Sequence, residues 1–236
     1  MIKIKLGIIL FITDAFTGET VDGRGLQFIV DGAERAAIHK PGGFYVFANV
    51  PEGQHTVVIR SLQYEEMTIQ LANSEDIVPV SLKPGKAYGF GRFLPQHLCV
   101  TVESDRKAFW FAQNKDLCVM KLAQPEVKAG ETEANLFFED MALKIPLPAY
   151  FLIVDGVQSE IVRVDMLAKG EPALFAEGLH FAHKRGCRMY PAVFYHVGQK
   201  REAIVFAKSL KESYIFTEEG KEPAVISDGQ QVFEIE

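Results

Sequence analysis

Along this chain, apolar residues recur with a period of two far more often than with a period near that of a helix. Strict alternation sends successive side chains to opposite faces and marks half-buried strands. Residues 44–47, 56–59, 67–71, 98–102, 108–111 and 203–206 all read this way. The apolar run 6–12 is dominated by β-branched residues and followed by the turn pair Thr13-Asp14. It is read as a strand, because it is short and no small-residue cleavage site follows it. Helix start and stop signals are scarce. Asp31-Gly32, Asp155-Gly156 and Asp228-Gly229 each separate two apolar runs. Each is expected to close a two-residue hairpin, where both central residues take positive φ. Many short strands with regular turns predict an all-β protein of sandwich or barrel type.

Turn and proline signals divide the chain. A compact set of about seven strands, the size of a small sandwich, ends near Pro84-Gly85. Residues 86–95 are then rich in glycine and aromatics and end in Leu94-Pro95. Prolines at 146 and 148 cannot donate to a central ladder. The expected organisation is an antiparallel β-sandwich over 1–85 and a second β-rich domain over 86–236, with 146 a candidate point for subdividing the latter.

Charge narrows the function classes. Lys+Arg 25 against Asp+Glu 31 gives 25 − 31 = −6, which argues against a general nucleic-acid binder. No uncharged apolar run approaches the ~20 residues of a membrane-spanning helix. The expectation is cytoplasmic synthesis without an export signal. Three cysteines, Cys99, Cys118 and Cys187, are a poor disulfide framework and read as buried reduced thiols, with a Cys99–Cys118 pair across a hairpin left open.

Four segments carry a resemblance in the first domain. They are Asp14-Ala15-Phe16-Thr17-Gly18-Glu19-Thr20-Val21, Lys40-Pro41-Gly42-Gly43-Phe44-Tyr45-Val46-Phe47, Asn49-Val50-Pro51-Glu52-Gly53-Gln54-His55 and Leu62-Gln63-Tyr64. Residues 8–82 resemble the carboxypeptidase regulatory-like domains, which are transthyretin-like β-sandwiches. Independently, Asp14 and Thr17 suit a side-chain-capped turn closed by Gly18. The resemblance implies a spacer, assembly or binding module. Some relatives carry a Lys–Asn isopeptide bond; Lys3 or Lys5 with Asn73 are residues of the right types, and no such bond is assigned.

In the second domain, Ser159-Glu160-Ile161-Val162-Arg163-Val164 is followed by Phe175-Ala176-Glu177-Gly178-Leu179-His180-Phe181-Ala182-His183-Lys184-Arg185-Gly186-Cys187-Arg188-Met189-Tyr190-Pro191. This looks like small β modules of bacteriophage tail and baseplate proteins and of contractile injection systems, where an Ala-His-x-x-Gly turn joins two strands. It implies a component assembled into a particle.

Chemistry-bearing motifs are few. His180, His183 and Cys187 have metal-ligand spacing, but on a strand His180 and His183 face opposite ways. The expectation is a turn with His183 bonded to backbone, and no metal. Glu65-Glu66, Glu139-Asp140 and Glu218-Glu219 are adjacent pairs that a strand splits between faces, so they read as solvated surface. Lys184-Arg185 with Arg188 reads as a solvated basic turn. Phe109-Trp110-Phe111 is read as core, with an aromatic platform for sugar or protein as the rival. Tyr88, Phe90, Arg92 and Phe93 lie in a glycine-flanked segment and are of interface-enriched types.

The resulting expectation is a protein with no catalytic, cofactor-binding or metal-binding residues. It would be a structural or adaptor component of a phage tail or contractile injection particle, contacting other particle or surface proteins and copies of itself. The alternative is a carbohydrate-binding or surface-adhesion module.

Overall fold

The computed structural model describes residues 6–235 apart from 24, 73–75, 103–105, 114–119, 140, 141, 143, 199 and 228. The protein is all-β and divides into two compact units, Met1–Gly91 and Arg92–Glu236. Lys3, Lys5, Asn73 and Cys118 lie outside the described residues, and with them the isopeptide and Cys99–Cys118 pairings.

The first unit holds β1 (Leu6–Asp14), β2 (Gln27–Val30), β3 (Ala33–Glu34), β4 (Ile38–Lys40), β5 (Phe44–Ala48), β6 (Gln54–Arg60), β7 (Met67–Ala72) and β8 (Ile77–Leu82). They form two four-stranded sheets, ordered β4-β5-β1-β8 and β3-β2-β6-β7. Alternation decides what faces inward. Tyr45 and Phe47 are buried while Phe44 and Val46 are half-buried, and Phe28 of the other sheet meets both buried rings at 5.2 Å between centroids. One core therefore draws on both sheets, which makes the unit a sandwich. Asp31 and Gly32 both take positive φ, 51° and 81°, and close β2 onto β3 as the sequence predicts. Gly43 is required by close approach as well as by its φ of 80°, since a Cβ there would lie 2.7 Å from the Ile12 carbonyl oxygen. Among the described residues of this unit the strand pairs are antiparallel except β1–β8, which runs parallel from Ile9↔Ile77 to Asp14↔Leu82. Residues 86–91 belong to this unit rather than to the next, because Tyr88 is bonded to the end of β1.

The second unit holds β9 (Gln96–Val102), β10 (Ala108–Gln113), β11 (Met120–Leu122), β12 (Glu126–Val127), β13 (Glu133–Ala134), β14 (Leu136–Phe138), β15 (Ala149–Val154), β16 (Glu160–Met166), β17 (Ala173–Phe175), β18 (His183–Lys184), β19 (Arg188–His196), β20 (Glu202–Ala207), β21 (Ser213–Phe216), β22 (Ala224–Ile226) and β23 (Val232–Ile235). A ten-stranded sheet has the backbone order β13-β17-β16-β15-β19-β10-β21-β22, with β11 and β14 attached through β19. It takes strands from both sides of Pro146, so that proline ends a connection inside one unit. A pair β12-β18 and a three-stranded sheet β20-β9-β23 complete it.

Two of the expected hairpins are built differently. Asp155-Gly156 opens a five-residue loop, because the partner strand begins at Glu160 and the register closes at Ile153↔Glu160. The Ser159 hydroxyl holds this loop, accepting from the Asp155 amide at 2.8 Å and donating to the Gly156 carbonyl at 2.7 Å. The segment around Gly229 joins no hairpin either. β22 pairs with β21, while β23 crosses to lie parallel with β9.

His55 is 7% exposed, with Nδ1 2.6 Å from Asp31 Oδ2 and Nε2 2.9 Å from the Pro51 carbonyl. Both neighbours are acceptors, so the ring is held as an imidazolium and its pKa is raised, chiefly by Asp31. A raised folded pKa gives stability that is complete below the unfolded value and lost as pH rises through the folded one. Asp31, lowered by the same bond, loses its share only on the acid side. The melting temperature should therefore fall as pH is raised from about 6 to about 9, and His55→Gln should flatten that fall. An unchanged slope in the variant would show that His55 does not supply it.

Candidate functional site

A cluster of titratable groups in the second unit forms where β15, β16 and β18 meet the residues 176–187. Glu160 opens β16 in phase with Val162 and Val164, so the pleat turns its carboxylate inward, to 2% exposure. A buried carboxylate needs several donors. Its Oε2 accepts from the His180 amide at 2.9 Å, and its Oε1 accepts from the Phe181 amide at 3.0 Å. Oε1 also lies 2.8 Å from His183 Nε2. His183 has no exposed surface, and its Nδ1 lies 2.9 Å from Asp155 Oδ2. The loop that displaced the expected hairpin is what carries Asp155 to this point.

Burial alone would push the His183 pKa down, but the two carboxylates outweigh it and the net shift is upward. For Glu160, burial pushes up, and the His183 bond with the two amides brings the net shift down. The result is a linked triad, Asp155–His183–Glu160, with a carboxylate on each side of the ring. Cys187 follows a turn at Gly186, which takes φ 95°, and its amide donates to the Lys184 carbonyl. Its side chain joins Asp155 and His183, with donor atoms of all three within 4.8 Å of one another. Burial and the nearby Asp155 carboxylate raise the thiol pKa, the reverse of what a nucleophilic cysteine needs.

The two histidines do not converge. His180 is exposed and meets Glu219 at 2.6 Å, which raises its pKa. His183 bonds two carboxylates and not the backbone, which corrects the sequence expectation. The predicted Ala182-His183-Lys184-Arg185-Gly186 turn is present, and its basic residues Lys184, Arg185 and Arg188 are exposed. Sequence reasoning missed Asp155 as a partner of His183. It also missed Glu160, although an acid in phase with core valines is a readable signal.

The predicted contact segment is divided between the units. The Tyr88 hydroxyl donates to Asp14 Oδ2 at 2.6 Å, and Tyr64 donates to the same atom at 2.9 Å. Asp14 Oδ1 accepts from the amides of Phe16 and Thr17, the side-chain-capped turn that the sequence predicts. Phe90 packs edge-on against Phe16, 5.2 Å between centroids, and against Tyr88 at 4.9 Å. Arg92 and Phe93 open the second unit, both exposed, with Lys208 Nζ 5.6 Å above the Phe93 ring. Around the tryptophan, Phe109 and Phe111 are core, 1% exposed each. Trp110 faces the other way, half-buried, against Tyr150 at 4.9 Å and Phe194 at 5.0 Å.

No protein-family model and no curated protein matches the chain. A solved structure that it is similar to is the Bacillus anthracis TIE protein, at 10% identity and a TM-score of 0.27, over 98% of this chain and 50% of that one. The chain thus spans about half of that structure.

Two substitutions check the triad. Glu160→Ala leaves the imidazolium and two amides without their acceptor and should cost about 3–5 kcal/mol in denaturant unfolding. Glu160→Gln, which keeps an acceptor of the same shape, should cost less. In the first unit, Asp14→Ala strands two hydroxyls and two amides. Hydrogen exchange at Phe16 and Thr17 should quicken by more than in Tyr88→Phe, which removes one bond worth about 1 kcal/mol.

Proposed function

We propose that this protein is a non-enzymatic structural or adaptor subunit that works through contacts between copies of itself. Its setting is the one implied by the carboxy-terminal resemblance, a phage tail or contractile injection particle. The observation that carries this reading is the outer face of the three-stranded sheet β20-β9-β23. Registers Ile204↔Cys99 and Val232↔Cys99 set Ile204, Cys99 and Val232 in one row across it. Ile204 and Val232 are 52% and 55% exposed, more than half of each on strands that should hide apolar surface.

The row two residues along one way is Glu202, Thr101 and Glu234; the other way it is Phe206 and His97, with Lys208 beyond and Phe93 beneath its ammonium. An apolar centre between an acidic and a basic end is self-complementary. A two-fold rotation lays the glutamates of one copy over the lysine end of the next. Phe93, singled out from sequence as a contact residue, then belongs to this surface, whereas Tyr88 and Phe90 serve their own sandwich.

A second reading has an observation of its own. Trp110, Tyr150, Phe194 and Tyr214 are all half-buried, on a face continuous with a small cleft lined by Tyr150, Arg163, Glu177 and His180. Aromatic surface beside charged donors suits a carbohydrate ligand.

Light scattering on the purified full chain separates the two. Self-association that is lost in Ile204→Glu/Val232→Glu, with an unchanged circular-dichroism spectrum and melting temperature, is the expected result. A wild-type protein that stays monomeric up to its solubility limit would sink the first reading. Quenching or blue-shifting of Trp110 fluorescence by oligosaccharide would then favour the second.

A further inference from the structure

We propose that Asp155, His183 and Cys187 form a binding site for a divalent zinc-type cation, with Glu160 as the group that orients the histidine. The sequence argument against a metal rested on His180 and His183, which the structure does keep apart. The set that assembles is different. It replaces His180 with an aspartate 28 residues upstream of His183.

Three features point to a metal rather than to a fold-holding ion triad alone. The donors are a carboxylate, an imidazole and a thiol, the combination that a borderline-soft cation takes and that hard cations do not. The Cys187 thiol engages the same Asp155 carboxylate, and the Gly186 turn folds the chain back so that its sulfur joins the other two donor atoms within 4.8 Å. Donors around a zinc ion stand about 3.3–3.7 Å apart, so a modest rearrangement suffices. The far side of the ring is already organised as metal-bound histidines are. Nε2 is 2.8 Å from a buried carboxylate, and that carboxylate is fixed by two main-chain amides. This leaves Nδ1 to face the cation. The Asp155 side chain is 30% exposed, giving the ion a way in and a water the fourth position.

Charge balance is preserved. Both ring nitrogens of His183 face carboxylate oxygens, so each carries a hydrogen, and the Cys187 sulfur carries one as a thiol. Zinc displaces one proton from His183 Nδ1 and one from the Cys187 sulfur, both to solvent. The site gains two positive charges and loses two, so nothing around it must be neutralised. This inference is independent of the assembly reading.

The test is titration of the chelator-treated full chain with cobalt(II). One equivalent should bind with a near-ultraviolet thiolate-to-cobalt charge-transfer band, reversed by zinc. Cys187→Ser should abolish the band, and Asp155→Asn should weaken binding. Glu160→Gln should lower affinity by about 10–100-fold while the band persists. Where Cys187→Ser does not fold, alkylation of the wild type replaces it. Zinc should protect Cys187 from iodoacetamide, read by peptide mass spectrometry, and leave the rate at Cys99 unchanged. Absence of the charge-transfer band, or zinc binding that survives Cys187→Ser and is lost in Glu219→Gln, would overturn the proposal. The latter outcome would place the ion on Glu160, His180 and Glu219 instead.

Discussion

A carboxylate taken almost wholly out of water has to be repaid in hydrogen bonds, and the second unit is arranged around that requirement at Glu160. Isolated burial of such a charge costs several kcal/mol. Here the compensation comes from three donors in the residues 180–183, so the segment that crosses the strand end is fixed by the same bonds that make the buried charge tolerable. His183 passes the constraint on to Asp155, and Asp155 needs a loop longer than a two-residue turn to reach it. The irregular hairpin, the position of β18 and the convergence of Cys187 all follow from one inward-facing acid.

The first unit solves a similar problem in a simpler way. Asp14 ends β1 at 5% exposure, and its two oxygens divide the labour. One caps the local turn through the Phe16 and Thr17 amides; the other collects the Tyr64 and Tyr88 hydroxyls. Burial and the Asp14 charge push both phenols well above the ordinary tyrosine range, so they remain donors at any physiological pH. Each unit thus has a buried carboxylate at a strand end that ties distant segments down.

What the sequence made legible was local. Period-two alternation correctly separates Tyr45 and Phe47 from Phe44 and Val46, whereas the segment Phe109-Trp110-Phe111, read as core throughout, buries only its two phenylalanines fully. Turn chemistry correctly marks Asp31-Gly32, the Asp14 cap and the bend at Gly186. What it left hidden was pairing. Alternation fixes which face a side chain takes but not which strand lies beside it. Nothing near Ala224 says that β23 will leave β22 for β9. The partners of Asp14 lie 50 and 74 positions away, and that of His183 lies 28 positions away. The charge at Glu160 was visible and in phase with Val162 and Val164, yet its meaning depends on donors from another segment.

The parallel ladder between β1 and β8 has a mechanical side. The chain enters the sandwich at the start of β1 and leaves it after the end of β8, and these two strands lie side by side in the same direction. Tension between the ends pulls them past each other lengthwise. The bonds from Ile9↔Ile77 to Asp14↔Leu82 then share the load at once instead of opening in turn like a zip. The Tyr88 hydroxyl must let go of Asp14 before that ladder feels the full pull. Stretched along the chain, the unit is therefore loaded in shear across one ladder.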